Sequence, residues 1–279
     1  MYDIMTYSFL MSVYKGERPE FLKKSIESIV NQTVRPEQIV IVCDGPLTKE
    51  LNNVLEFFDS QNPGLFTIYR LPKNMGTGYA ANIGLKLCRN ELIAKMDSDD
   101  IAYPDRCEKQ LLMFSKHKKL DMLGGYVSEF ETYVENEITV KKVPLNQKDI
   151  RNFAKRRNPF NNQTLMYKKS KAIGCGGYTC TTRCEDYDFI VKMLMSGAKC
   201  ANIPEKLVHY RLDGGAYERR RNWKNTVGFI SVRYKNWRRG FCSFFDFILP
   251  CAVQMILFIL PVDFTKKLYI KILRKNSVR

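Results

Sequence analysis

The sequence lacks the paired Cys-x-x-Cys spacing that marks structural zinc sites and redox dithiols, although it holds nine cysteines. An odd number without that spacing reads as reduced thiols in a cytosolic protein, and the one close pair, Cys180 and Cys184, reads as two loop thiols. Near the first residue there is no charged start followed by an apolar run and a small-residue cleavage site, so no signal peptide is expected. Internal repeats and low-complexity linkers are missing as well. So is a clean apolar run of about 20 residues, the length that a spanning helix needs. The longest apolar stretch, Phe241 to Val262, is broken by Asp246, Pro250, Gln254 and Pro261. Acidic residues are scarce toward the end: from Glu205 onward 16 Lys and Arg face 5 Asp and Glu, leaving +11 of the chain's formal +16 there. Such a tail wants a polyanionic neighbour, and charge by itself does not choose between nucleic acid and anionic lipid.

What is present is a chain of 279 residues with 45% hydrophobic content, ample for one large packed domain with or without a short appendage. Its first hundred residues alternate short apolar runs with helical patterns, which predicts a mostly parallel sheet with crossover helices. Strands are expected over Ser8 to Val13, Ile39 to Cys43, Phe66 to Leu71 and Leu92 to Met96, with helices over Glu20 to Asn31 and Leu51 to Phe58. A helix near Pro104 to Lys116 follows, and then the alternation breaks down. Glu129 to Lys142 reads as a hairpin around Glu135-Asn136, Gln163 to Tyr167 and Leu207 to Leu212 as strands, and Glu185 to Met195 as a helix. The predicted division is an α/β domain over residues 1–215 and a basic, partly apolar helical tail over 216–279. The apolar stretch has Arg219-Arg220-Arg221 and Arg238-Arg239 before it and Lys266-Lys267 after it. A segment lying in the interface of an anionic membrane is the reading favoured over an ordinary buried helix pair or a single span.

In open sheets of this kind ligands bind beyond the carboxyl ends of the strands. Asp97 and Asp99 stand at i and i+2 directly after the fourth apolar run, so both carboxylates can point to one side of that edge. Two such oxygens suit Mg²⁺ or Mn²⁺ completed by substrate phosphates and water. A helix-loop-helix calcium site fits Asp97 first and Glu108 twelfth, but fails at Ile101 and Ala102, where an oxygen ligand and glycine are required. A plain capping turn is the remaining rival. Asp44-Gly45 closes the second strand, where a carboxylate can accept from a uracil imide or ribose hydroxyl. Lys73 to Gly78 is a glycine-rich helix start that is neither the P-loop nor the dinucleotide fingerprint.

Six stretches taken in order are similar to a known family: Ser12-Val13-Tyr14, Val42-Cys43-Asp44-Gly45, Asn74-x-Gly76 to Ala81-Asn82-x-Gly84, Asp97-Ser98-Asp99-Asp100, Gly176-Gly177-Tyr178 and Glu185-Asp186-Tyr187. Over residues 7–215 the chain resembles the family 2 nucleotide-sugar glycosyltransferases of the GT-A fold, above all bacterial enzymes that build capsule, exopolysaccharide or O-antigen units on lipid-linked acceptors. The resemblance implies an inverting enzyme with a nucleotide-sugar donor, a UDP-sugar by family frequency, and Mn²⁺ or Mg²⁺. It implies a donor pocket made by Ser12, Tyr14, Asp44, Asn74, Gly76, Asn82 and Asp97, with Asp44 on the nucleobase and Ser12 and Asn82 holding the nucleoside. Asp97 and Asp99 would carry the metal, and Asp186 would be the base that takes the acceptor's proton as it attacks. The implied location is the cytoplasmic face of the bacterial inner membrane.

Two positions depart from the family pattern: Asn162 and Asp213 stand where relatives often have His. Arg211 is expected as a phosphate partner because its fork matches phosphate geometry, and His209 as a strand histidine rather than a ligand. Three other functions are weighed against transfer. A nucleotidyltransferase needs a basic glycine-rich stretch near the start, for which Gly16-Glu17-Arg18 is too sparse. A binding protein that has lost catalysis is kept open by the two missing histidines and opposed by Asp97, Asp99 and Asp186. A nucleic-acid binder is disfavoured because Arg238 and Lys266 flank an apolar run rather than an aromatic-studded polar groove.

Overall fold

The computed structural model describes residues 5–180, 183–212 and 222–259. The first half winds as expected: β1 (Tyr7–Val13), α1 (Pro19–Val30), β2 (Gln38–Cys43), α2 (Lys49–Gln61), β3 (Phe66–Arg70), α3 (Thr77–Leu87) and β4 (Leu92–Asp97). A two-residue β5 (Ile101–Ala102) and α4 (Arg106–Lys116) follow. Then come β6 (Met122–Phe130), β7 (Thr139–Lys141), α5 (Gln147–Ala154), a 3-10 turn (Asn162–Thr164), β8 (Met166–Lys168), α6 (Lys169–Gly174), α7 (Glu185–Met195) and β9 (Cys200–Arg211). Two helices, α8 (Trp223–Arg238) and α9 (Phe244–Ile259), close the described chain.

All nine strands form one sheet in the order β3-β2-β1-β4-β8-β6-β9-β5, with β7 paired to β6. β3, β2, β1 and β4 run parallel, while β8 lies antiparallel between β4 and β6. The continuous apolar character of β1 and β2 follows from this, since both faces of those strands are covered. One face packs Leu22, Ile26 and Ile29 of α1, Leu51 and Leu55 of α2, and Cys107 and Phe114 of α4. The other packs Ala80, Ala81 and Leu85 of α3 with Phe189, Ile190 and Met193 of α7, and it extends to Val232 of α8 and to Phe241. α3 lies so close to β1 that a Cβ on Gly84 would stand 2.1 Å from Cδ1 of Leu10.

Three elements differ from the sequence reading. The hairpin exists, pairing Val127 with Lys141 and Glu129 with Thr139, but its first strand starts at Met122. Gly124-Gly125 hid that start, and glycine is needed there because a Cβ on Gly124 would meet Asn202 Oδ1 at 2.5 Å and Phe160 at 2.7 Å. The strand expected from Leu207 begins at Cys200. Pro204 and the exposed Glu205 and Lys206 break its pattern, and register shifts around Tyr126 absorb them. The strand expected over Gln163 to Tyr167 is a 3-10 turn followed by the short β8. The predicted boundary at 215 lies outside the described residues, as do Asp213, Arg219-Arg220-Arg221, the end of the apolar stretch and Lys266-Lys267.

Gly84→Ala should destabilise the fold by about 1–3 kcal/mol through overpacking. A denaturant titration reads this, and an unchanged midpoint would mean that α3 moves off β1 without cost.

Candidate active site

Strand register builds the site. Ser12 of β1 is level with Val42 of β2 and with Asp97 of β4, so Ser12, Asp44 and Asp97 emerge from one sheet edge. Asp44 is nearly buried, and its carboxylate spans two backbone amides: Oδ1 accepts from Met75 N at 2.7 Å and Oδ2 from Gly76 N at 3.0 Å. Asn74 returns a bond from Nδ2 to the Asp44 carbonyl at 3.2 Å. Gly76 caps α3 at φ +91, a conformation that costs glycine nothing. The Asp44 and Asn74-x-Gly76 motifs are therefore one clamp, and the carboxylate keeps further lone pairs toward solvent. Tyr14 is half exposed just past β1, with its ring over Gly16.

Asn82 of α3 makes a second clamp: Nδ2 donates to the Tyr178 carbonyl at 2.7 Å, and Oδ1 accepts from Tyr178 N at 2.7 Å. Gly176 and Gly177 turn the chain at φ +85 and +61, and a Cβ on Gly78 would meet the Thr179 carbonyl at 2.4 Å. The expected nucleoside contact of Asn82 thus coincides with a backbone-holding role, and the Gly176-Gly177-Tyr178 stretch docks against α3. That docking delivers α7, whose first turn carries Glu185 and Asp186 behind a left-handed cap at Cys184, φ 65.

Asp97 is about one-third exposed, and its Oδ1 is approached by Lys95 Nζ at 3.4 Å and by Asn162 Nδ2 at 3.4 Å. Asn162, in the place where relatives often have His, therefore faces the acidic edge. Lys95 is buried and also donates to the Met96 carbonyl at 3.1 Å. Ser98 bonds Glu17. Asp186 Oδ2 accepts from Asn158 Nδ2 at 2.8 Å, a positioning bond that no sequence signal announced. The carboxylates on the two sides are close enough to interact. Burial and repulsion from Asp186 push Glu185 up to about 7, and burial followed by the Asp97 charge raises Asp186.

Arg211, expected to meet a phosphate, lies against the acidic turn. It is nearly buried, with its N–H on Asp100 Oδ1 at 2.8 Å and Nε on the Asp99 carbonyl at 3.0 Å. Its guanidinium lies 3.9 Å from the Phe21 ring centroid and 4.5 Å from that of Phe130. It is a strut for the acidic turn, because a cation there offsets the buried Asp100, whose carboxyl is raised by burial and by Asp99 and Asp97. His209 is the strand histidine expected, stacked on Tyr103 with ring centroids 3.9 Å apart and 2.8 Å from Ser128 Oγ. All nine cysteines are free.

Among the described residues no three His, Cys, Asp or Glu side chains converge into a metal cage. The pair Asp97 and Asp99 fits only a cation content with few protein oxygens, as Mg²⁺ and Mn²⁺ are when substrate phosphates and water finish the shell. Asp100 Oδ2 and Asn162 Oδ1 are buried without a partner at this edge, so the local charge and polarity are incompletely answered. A cleft of about 640 Å³ opens beside Asp44, lined by Gly45, Leu47, Asn52, Arg70 and Leu71 among others. None of Asp97, Asp99, Glu185 and Asp186 lines it, so the chemistry rests on the carboxylate cluster.

The sheet edge thus carries a strand-end diacid and a clamped glycine-rich loop, with an acidic helix start near enough to interact with it. The model of "Glycosyl transferase family 2" matches residues 8–185, and the chain belongs to that family. It is 34% identical over 274 residues to the UDP-Gal:alpha-D-GlcNAc-diphosphoundecaprenol beta-1,3-galactosyltransferase of Escherichia coli, covering 98% of each chain. It is 35% identical over 217 residues to the amylovoran biosynthesis glycosyltransferase AmsE of Erwinia amylovora, covering 78% of this chain and 80% of that one. Among solved structures, the mannosyltransferase PcManGT of Pyrobaculum calidifontis with GDP-Man and Mn²⁺ superposes with a TM-score of 0.63 at 14% identity, over 93% of this chain and 71% of that one. S. aureus TarS 1–349 with UDP-GlcNAc superposes with a TM-score of 0.61 at 15% identity, over 98% and 75%. The fold expected from the sequence, GT-A, is the fold found.

The raised carboxyls set a pH dependence. A group whose pKa is raised is ionised only above the raised value, so a reaction needing ionised Asp186 should lose rate on the acid side at a pH above the ordinary carboxylate range. The acid limb of kcat/KM should therefore inflect above that range, at a value that belongs to the coupled pair. Glu185→Gln, which removes a neighbouring charge, should move it acidward. An inflection near 4 in the wild type would overturn the coupling.

Proposed function

We propose that the chain is an inverting, metal-dependent glycosyltransferase that moves a sugar from a nucleotide diphosphate, a UDP-sugar, to a hydroxyl of a lipid-linked saccharide in bacterial surface-polysaccharide synthesis. The observation that carries this reading is the confrontation of two carboxylate sets, Asp97 with Asp99 at the end of β4 and Asp186 at the start of α7, close enough to raise the Asp186 carboxyl. A UDP-sugar and a lipid diphosphate acceptor are supported by the donor and acceptor in the name of the E. coli relative.

Asp186, oriented by Asn158, takes the proton of the attacking hydroxyl, whose pKa far above neutrality forbids attack otherwise. One displacement at the anomeric carbon inverts its configuration. A divalent cation held by Asp97 and Asp99 would supply charge neutralisation at the departing diphosphate. Asp44 and the loop it holds line the nucleoside side, with Ser12 and Tyr14 at the end of β1. Lys95 beneath Asp97 and Arg211 behind Asp99 and Asp100 keep the acidic edge from repelling itself apart.

The acceptor side faces an anionic membrane at the cytoplasmic surface of the inner membrane. No helix among the described residues is long and apolar enough to cross one. More than half of the exposed large apolar side chains nevertheless lie on α8 and α9, including Trp223, Phe244, Phe245, Leu249, Ile256 and Ile259. The inner face of α9 is buried through Cys251, Gln254 and Leu257, and Gln254 donates to Thr226 of α8 at 3.1 Å. An apolar patch of this kind marks an interaction surface. Its cationic surroundings, Lys224, Lys235, Arg238 and Arg156, complement anionic headgroups.

Purified protein given a panel of nucleotide sugars with Mn²⁺ or Mg²⁺ should release nucleotide from one donor class, and EDTA should stop this reversibly. Asp186→Asn should cut turnover by at least about 10²-fold with donor binding retained. Loss of donor binding with unchanged turnover of bound substrate would return Asp186 to the donor pocket, and a wild type that binds donors without turning any over would make the chain a binding protein. Co-sedimentation with anionic vesicles should fall with salt, and with Phe245→Asp combined with Leu249→Asp. Equal binding to neutral vesicles at high salt would exclude the electrostatic part.

A further inference from the structure

Among the described residues, buried cations find acceptors for their donors with one exception. Asp188 is met by Arg239 Nη1 at 2.7 Å and by Thr179, and Lys192 lies 3.8 Å away. Arg106 donates to the Lys95 carbonyl at 2.8 Å and to Gln110 at 3.1 Å. Arg233 of α8 is the exception. It is 7% exposed, and its guanidinium sits 4.3 Å from the Phe229 ring centroid and 4.8 Å from that of Tyr187. Its Nε and Nη1 are shut off from solvent and have no acceptor, while the guanidinium also hydrogen-bonds the Tyr187 hydroxyl. Arginine cannot shed its proton, so a desolvated guanidinium with idle donors is a cost that the fold carries until an anion arrives.

Its position identifies the anion. Tyr187, which the guanidinium covers, is the residue after Asp186, and Tyr187 is itself fixed by its hydroxyl donating to the Ala154 carbonyl at 2.6 Å. Arg233 thus stands at the seam between the helix that presents the proposed base and the helical pair whose outer face is apolar. A lipid-linked acceptor has to set its sugar hydroxyl at Asp186 while its chain stays in the bilayer, and the group joining the two is a phosphate or diphosphate. Held at this seam, that group would meet a guanidinium fork that matches its oxygens.

We propose that Arg233 is the recognition residue for the phosphate or diphosphate that links the acceptor sugar to its lipid. This rests on the lipid-linked acceptor reading above. On binding, Nε and Nη1 gain charged acceptors, and the acceptor is registered against α7 without any contact to the donor.

The test uses the full chain and two synthetic acceptors with the same sugar and alkyl tail, one joined through a diphosphate and one through a neutral linker. Arg233→Met should raise KM for the diphosphate acceptor by roughly 10- to 100-fold, leave KM for the neutral acceptor and donor hydrolysis unchanged, and leave anionic vesicle binding intact. Arg233→Lys, which keeps charge without the fork, should fall between, and it carries the test alone if the methionine variant does not fold. An equal KM change on both acceptors would overturn the proposal and leave Arg233 as cation–π packing. Loss of vesicle binding in step with activity would overturn it in favour of a headgroup site. A readout independent of the acceptor reading is thermal stabilisation by inorganic pyrophosphate in EDTA. It should be present in the wild type and lost in Arg233→Met, and equal stabilisation of both would sink the site even if a lipid-linked acceptor proves correct. A wild type that ignores the diphosphate acceptor, yet is stabilised by pyrophosphate only when Arg233 is present, would instead sink the lipid-linked reading and the acceptor role assigned to the site.

Discussion

Backbone pairing of β1 on both of its edges is the constraint from which this molecule is built. β1 is buried on both faces and hydrogen-bonds β2 on one side and β4 on the other, so its peptide groups have no other partners. That pairing sets Ser12 level with Asp97 and brings Asp44 out beside them. A slip of one residue would turn each side chain to the opposite face, moving the core-facing Phe9 and Met11 as well as Asp97, so the core enforces the register that the chemistry uses. The loops above the edge are held by short polar clamps, Asp44 on Met75 and Gly76, and Asn82 on Tyr178. Each ties a segment distant in sequence to a strand or helix that cannot move.

The edge so built is electrostatically uncomfortable. Asp97, Asp99, Asp100, Glu185 and Asp186 gather near Lys95, Lys141 and Arg211, and burial together with repulsion among the carboxylates raises Asp100, Glu185 and Asp186. A site with surplus negative charge attracts a divalent cation and, through it, a diphosphate. Arg211 contributes to this balance, with its guanidinium bonded to the Asp99 carbonyl and stacked on Phe21.

The helical pair at the end of the described chain is joined to the catalytic layer rather than appended to it. Val232 and Phe241 are part of the core beneath α7, and Arg239 reaches the buried Asp188 of α7 at 2.7 Å. Arg156 meets Asp246 at 2.6 Å, where Ser243 and Asp246 cap the start of α9. Force applied to the outer apolar face is therefore transmitted to the helix that bears Asp186.

Much of this was legible in the residues alone. Apolar periodicity marked β1 to β4 and α7 to within a residue or two, since a strand buried on both faces and a helix buried on one leave unambiguous patterns. The motif order singled out Asp44, Asp97 and Asp99, which follow strands in a topology where ligands bind beyond strand ends, and Asp186, which the structure places in the first turn of α7. What spacing could not convey was which oxygen meets which donor. Asn158 on Asp186, Arg211 as a strut and the long β9 running across Pro204 all join residues dozens of positions apart. Arg233 appeared in the sequence as one cation in a basic tail. Only packing showed it buried and unanswered, because burial depends on what the rest of the chain brings to cover a side chain, and local pattern carries no record of that.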